Sequence, residues 1–255
     1  FRPRCRFVLA RRDSGIEESV QEKMSQEQFY LPDQDPFLTL DQEVARIQSF
    51  LDSLKAEEWK RPTRCEGWTV QDLVAHLDSD EEYNEACLKG NVADFISGYK
   101  DFDTFNAQMI QNRADLSNED ILEQWSSRQA RVREAWAKLG LGAKIQTFIG
   151  PYPLHFQIWH IISEYATHGD DMGVFVAEEE AEYRLMWRVQ FSLFAVQEKE
   201  NPPGLERTDD IILVTLKDHR MALSDGDFVA AVSARLPLPE DPDDRRIIEV
   251  LRSLA

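Results

Sequence analysis

The chain has 255 residues and a formal net charge of -18, with 29 Lys plus Arg against 47 Asp plus Glu and 42% hydrophobic residues. A chain of that length and composition can bury a sizeable core without disulfide or metal staples. Its negative field repels phosphate backbones and anionic lipid, so neither nucleic acid nor a membrane is an expected partner. Three widely spaced cysteines, Cys5, Cys65 and Cys87, with no C-x-x-C pair, fit a reducing cytoplasm and exclude cysteine-rich zinc sites. Apolar runs stop after a few residues, far short of the roughly 18 to 20 needed to span a bilayer.

Residues 1–23 differ from the rest, with six basic against four acidic side chains. Met24 opens a polar stretch and is the expected natural start; residues 1–36 as a whole are expected to be disordered. From Pro36 the pattern changes. Phe37, Leu40, Val44, Ile47, Phe50, Leu51 and Leu54 recur at steps of three and four, which predicts an amphipathic helix. Residues 59–68 hold Pro62, Gly67 and two Trp, too irregular for a helix. Thr69 and Asp72 then have the capping-box spacing, so a second helix is expected over 70–89, stopped by Gly90.

A third helix is expected over 92–113, and a fourth from Ser117 to Gly140 with Ile121, Leu122, Trp125, Val132, Trp136 and Leu139 as its apolar set. Gly150, Pro151 and Pro153 make a rigid lead-in to a helix over 154–176, and another helix is expected over 180–199. After Asn201-Pro-Pro-Gly204 the period falls to two, predicting short strands at 211–215 and 221–223 and again at 228–232, beyond a turn at Asp225-Gly-Asp227. A Pro-rich linker leads to a closing helix over 245–254. The expected architecture is mainly α: an up-and-down four-helix bundle with extra helices over 37–200, and a small α+β region over 201–255.

Three of the five histidines, His155, His160 and His168, fall in one expected helix or its lead-in. His160, Glu164 and His168 follow at four-residue steps and so lie nearly above one another on one face. His76 lies on the second helix among apolar neighbours. Two imidazoles and one carboxylate brought together from two helices suit a divalent ion with an open fourth position. Zinc is the first candidate, and nickel or iron can take the same set. Asp170 and Asp171 follow His168 where a carboxylate can orient an imidazole. The alternative for each residue is packing, an exposed pair or, for Cys65, a small buried loop residue. The H-E-x-x-H, G-x-S-x-G, P-loop and G-x-G-x-x-G motifs are all absent from the sequence.

The stretch 59–77, with Trp59, Pro62-Thr63, Cys65-Glu66-Gly67-Trp68 and Val70-Gln-Asp72-Leu-Val-Ala-His76-Leu77, resembles the N-terminal signature of the mycothiol-dependent maleylpyruvate isomerase family, part of the DinB-like metalloenzyme group. Glu164-Tyr-Ala-Thr-His168-Gly-Asp-Asp171 is similar to that family's Glu-x-x-x-His-x-x-Asp. The resemblance implies a DinB-like bundle in which His76, Glu164 and His168 hold a divalent metal, with Asp171 as an outer group that orients a ligand; His160 has no counterpart in the motif, and its place on the same helix face makes it an outer group or a half-exposed residue. Trp68 and Cys65 would line a thiol or substrate pocket. It further implies a low-molecular-weight thiol cosubstrate, activated on the metal as thiolate, that attacks a small electrophile in a transferase or isomerase reaction. The alternatives are a hydrolase using metal-activated water and a non-catalytic, stress-related metal-binding bundle. The expected assembly is a monomer or homodimer.

Overall fold

A computed structural model describes residues 31–254. The expectation for residues 1–23, and most of that for 1–36, lies outside the described residues. The chain divides into two compact units, one covering Gln34–Val176 and the other Ala177 onward.

The first unit is a helical bundle. Its helices are α1 (Pro36–Ser53), α2 (Val70–Lys89), α3 (Val92–Phe95), α4 (Phe102–Gln111), α5 (Asn118–Leu139) and α6 (Leu154–Met172), with a hairpin of β1 (Lys144–Thr147) and β2 (Gly150–Pro153) before α6. The principal packings are α2 on α5 and α1 on α6, and further contacts of α2 with α6 and α1 with α5 join the two pairs. α2 starts where expected: the Thr69 hydroxyl accepts from the Asp72 amide while the Asp72 carboxylate accepts from the Thr69 amide. Gly90 and Gly173 end α2 and α6 in the left-handed region, at φ 72° and 78°, a conformation glycine adopts without a Cβ penalty.

Trp125, Trp136 and Trp159 are fully buried in this unit, each burial stabilising by roughly 1.5–3 kcal/mol or somewhat more for so large a side chain. The seam of α2 is less ordinary. It begins as Val70, Leu73, Val74 and Leu77 and continues, still buried, as Asp78, Asp80, Glu81 and Asn84. Asp78 accepts from Arg113 Nε at 2.7 Å and Arg128 Nε at 2.9 Å, so two guanidinium groups neutralise a carboxylate that has no exposure. Glu81 accepts from Tyr165 Oη and from Asn84 Nδ2, Trp125 Nε1 donates to Tyr165 Oη at 3.2 Å, and Gln157 Nε2 donates to Asn84 Oδ1 at 3.0 Å. Despite its two donors, burial pushes the Glu81 carboxyl up to about 7.

The second unit holds α7 (Glu178–Gln197), an antiparallel meander of β3 (Gly204–Thr208), β4 (Ile211–Leu216) and β5 (His219–Ser224), then α8 (Asp225–Val232) and α9 (Pro242–Leu251). Two-residue turns join the strands, with Asp209 and Lys217 at positive φ. Ile212, Val214 and Leu223 turn inward, and α8 packs against α7 while α9 packs against α8, β4 and β5. The helix expected over 180–199 as part of the bundle, α7, belongs by its packing to this unit.

Three local expectations are corrected. The helix expected over 92–113 is interrupted, because Gly98 adopts φ 94° and Asp101 caps a new start by accepting from the Thr104 amide. The residues expected as a strand at 228–232 form α8: Ser224 accepts from the Asp227 amide, and the buried set Phe228, Val229, Ala231 and Val232 has helical spacing. The lead-in before α6 is a β-hairpin, registered from Lys144 opposite Pro153 to Thr147 opposite Gly150.

The Asp78 network yields a stability prediction. Asp78→Ala leaves two guanidinium groups with their carboxylate removed, and is expected to destabilise the fold by about 3–5 kcal/mol. Urea unfolding followed by circular dichroism checks this; a loss below about 1 kcal/mol would contradict a neutralising role for the pair of arginines.

Candidate metal centre

The α2–α6 contact brings His76 beside Glu164 and His168. His76 Nε2 lies 4.0 Å from Glu164 Oε2, and His168 Nε2 lies 3.3 Å from the same oxygen. The two imidazole rings meet edge to face, with centroids 4.9 Å apart. The three donor atoms all lie within 4.8 Å of one another, and all three residues are buried. The four-residue step on α6 stacks Glu164 under His168, as the helical repeat requires, while His76 comes from the middle of α2, directly after Leu73, Val74 and Ala75 have entered the core.

Asp171 completes the local order around His168. Its Oδ2 lies 3.1 Å from His168 Nδ1 and accepts from Cys65 Sγ at 3.2 Å. Each ring nitrogen of His168 therefore faces a carboxylate oxygen, Nδ1 that of Asp171 and Nε2 that of Glu164. Asp171 is held in turn. Its carbonyl accepts from the Arg64 amide at 3.1 Å, and the neighbouring Met172 carbonyl accepts from Arg61 Nη2 at 2.5 Å. These bonds fasten the loop between Pro62 and Thr69 to the end of α6. The loop closes on itself through Thr63, whose amide and hydroxyl both donate to the Trp68 carbonyl.

That loop carries the two residues assigned to a pocket. Trp68 is half-buried and its ring centroid is 5.3 Å from that of His76. Cys65 is buried on the Nδ1 side of His168, with Sγ 3.9 Å from that nitrogen. A second possible donor group, Cys65, His168 and Asp171, therefore shares the His168 ring with the first. His160 lies within hydrogen-bond reach of Tyr152 Oη, its Nε2 at 3.2 Å, which ties the first turns of α6 to β2. His155 stands against Phe156 in the first turn, where burial holds its imidazole below the usual range.

One residue at the centre was not singled out from the sequence. Asp80, buried on α2 four residues after His76, places Oδ2 3.5 Å from His76 Nε2. Burial first, then the neighbouring Glu164 carboxylate, raises its pKa well above the usual range. The signal was present as His76-x-x-x-Asp80, the same step as Glu164-x-x-x-His168 on the facing helix. It was masked by the run of acids that follows, which reads as a solvated face.

Residues 40–173 match the family model described as the mycothiol maleylpyruvate isomerase N-terminal domain. Two solved structures share the fold: the crystal structure of the mycothiol-dependent maleylpyruvate isomerase, with TM-score 0.50, and that of a histidine-to-alanine variant of it, with TM-score 0.51. Each is 17% identical to this chain and covers 62% of it and 68% of the other chain. No curated protein sequence matches. Among the described residues no helix is long and apolar enough to cross a membrane.

The position of Cys65 behind His168 predicts its reactivity. Cys65 and Cys87 are both buried, and burial pushes the Cys87 thiol up to about 12. Neither peptide is expected to carry label after brief exposure of the native protein to a maleimide at pH 7.5, and both are expected to do so in urea. Rapid native labelling of Cys65, read by peptide mass mapping, would place its sulfur on an open face of the site instead.

Proposed function

The chain belongs to the mycothiol maleylpyruvate isomerase N-terminal domain family, and from that membership we propose that it is a divalent-metal-dependent enzyme that uses a low-molecular-weight thiol of the mycothiol type on a small electrophilic substrate. The observation that carries the reading is the buried convergence of His76 Nε2, Glu164 Oε2 and His168 Nε2 from two facing helices. Two neutral nitrogens and one carboxylate form a donor set that leaves room for an exogenous ligand, and zinc is the first choice for it. The donor chemistry fits such an ion. With an ion bound at His168 Nε2, Asp171 would accept the remaining ring proton from Nδ1, and Glu164 supplies negative charge where a cation would sit.

The ion, when bound, favours thiolate over thiol at the sulfur of the cosubstrate, and the thiolate is the nucleophile. The rest falls to the chain's own residues. His76 and His168 are held rigid by burial. Asp171 and the Arg61 and Arg64 contacts fix the orientation of the His168 ring. Trp68 packs its ring, tilted, beside that of His76 on the loop side, and an apolar group there limits water beside the nucleophile and strengthens electrostatic interactions. Asp171 is the outer group of the proposal through its contact with His168 Nδ1, whereas His160 is directed to Tyr152 on β2.

Metal content tests the reading most directly. Elemental analysis of protein purified without added metal is expected to find close to one equivalent of zinc, or of nickel or iron, in the wild type and far less in Glu164→Ala. A wild-type protein that contains no metal and takes up no added zinc would overturn the proposal. With a metal-loaded protein, thiol consumption against a panel of small electrophiles is expected with mycothiol and to be lost in the same variant. Asp171→Asn keeps the shape but alters the partner of His168 Nδ1, and is expected to weaken zinc affinity by about 10- to 100-fold, measured by competition with a chromogenic chelator. Wild-type affinity in that variant would leave Asp171 a structural residue of the loop.

A further inference from the structure

We propose that Cys65 is a positioning residue of the centre, whose thiol holds the Asp171 carboxylate and through it the angle at which the His168 ring presents Nε2; the inference rests on the metal-dependent reading above. It replaces the pocket-lining role expected for Cys65 from the sequence. Sγ lies on the Nδ1 side of His168, 3.9 Å from that nitrogen, and donates to Asp171 Oδ2 at 3.2 Å. The same oxygen stands 3.1 Å from His168 Nδ1. A carboxylate oxygen has two lone pairs, so this one atom can accept from the thiol and from the ring together. The opposite ring nitrogen, Nε2, faces Glu164 Oε2 at 3.3 Å. Cys65 therefore sits on the far side of the imidazole from an ion at Nε2, where it acts through Asp171 and not as a ligand.

The loop holds that thiol in place. The Cys65 amide donates to Thr63 Oγ1 at 3.2 Å, and the Cys65 carbonyl accepts from the Trp68 amide at 3.0 Å. The residue before it, Arg64, donates its amide to the Asp171 carbonyl at 3.1 Å. Two consecutive loop residues thus grip Asp171 at both ends, one at the main chain and one at the carboxylate, which leaves the side chain little freedom to turn. Cys65 and Asp171 are only 6% and 3% exposed. Removing a donor from a carboxylate at that depth matters more than at the surface, because water does not readily take its place. A thiol suits the position. It is a small, largely apolar group and a weak donor, so it shares the carboxylate with the imidazole without displacing it. The loop in this way reaches both imidazoles: Trp68, bonded to the Cys65 carbonyl, packs beside His76, and Cys65 reaches His168 through Asp171.

The test uses the full chain, stripped with a chelator and titrated with Co2+ alone while its visible absorption is recorded. Zn2+ affinity is measured by competition with a chelator, and circular dichroism checks folding. Wild type, Cys65→Ala, Cys65→Ser, Asp171→Ala and the double variant Cys65→Ala with Asp171→Ala are compared. Cys65→Ala is expected to bind Zn2+ about fivefold more weakly, the worth of one hydrogen bond, and to shift the cobalt bands, which follow ligand geometry. Cys65→Ser restores a donor and is expected to recover part of that loss. Asp171→Ala is expected to weaken binding by about 10- to 100-fold. In that background the further loss from Cys65→Ala is expected to vanish, because the route to the ring is gone. Cys65→Val, which also lacks a donor, replaces the alanine variant if that one fails to fold. A thiol that only supports the fold would lower the melting temperature and leave affinity and bands of the folded variant at their wild-type values. That result would overturn the proposal and leave the three-donor site intact, as would a serine variant no better than alanine or a Cys65→Ala loss undiminished when residue 171 is alanine. A wild type that binds neither Co2+ nor Zn2+ would instead overturn the metal-dependent reading, and the role of Cys65 with it.

Discussion

Burying imidazoles and carboxylates in an apolar bundle is the constraint to which the rest of the first unit answers. Each such group taken from water costs several kcal/mol unless a partner of opposite charge or a hydrogen bond replaces the solvent. The chain meets that cost in three ways along a single helix. Asp78 is met by the guanidinium groups of Arg113 and Arg128. Glu81 is met by neutral donors, the Tyr165 hydroxyl and the Asn84 amide. Asp80 lies 3.5 Å from His76 Nε2 without a hydrogen bond at Oδ2, and burial and the Glu164 carboxylate raise its pKa well above the usual range, which disfavours its charged form.

These three solutions divide α2 into faces with different work. The Asp78 face joins α2 to α5 and to the segment after α4, where Arg113 also reaches Glu82 and Arg128 also reaches Glu85. The Glu81 face links α2, α5 and α6 through Trp125, Tyr165 and Gln157. Both are satisfied internally, and their role is to hold α2 in one rotation about its axis. That rotation aims His76 at α6. A buried polar network with all its partners present specifies one packing where an apolar seam would tolerate several, and a site built from two helices needs that definition because an ångström of misplacement is enough to separate its donors.

The loop from Pro62 to Thr69 does for His168 what the α2 network does for His76. It is attached to the last turn of α6 through Arg61 and Arg64, and it brings Cys65 to the same carboxylate that orients His168. The dense family signature over this stretch thus has a physical meaning. Thr63 closes the loop, Trp68 packs beside His76, and Thr69 and Asp72 start the helix that carries it.

Much of this was legible from the residues alone. Local rules identified the capped start of α2, the glycine stops of α2 and α5, and the four-residue step between Glu164 and His168, because each depends on neighbours within one or two turns. The same rules were insufficient at 228–232, where a short apolar run suits a strand or a helix and the cap at Ser224 decided for α8. They also passed over Asp80. A run of acids in sequence reads as solvent-facing, and only the positions of Arg113, Arg128, Tyr165 and His76, contributed from up to 84 residues away, show that it is interior. What the sequence by itself determined is which groups could act and their order along each helix face. The tertiary structure decided which of them meet, since the rotation and register of α2 against α5 and α6 are set by long-range packing and charge neutralisation that no local pattern encodes.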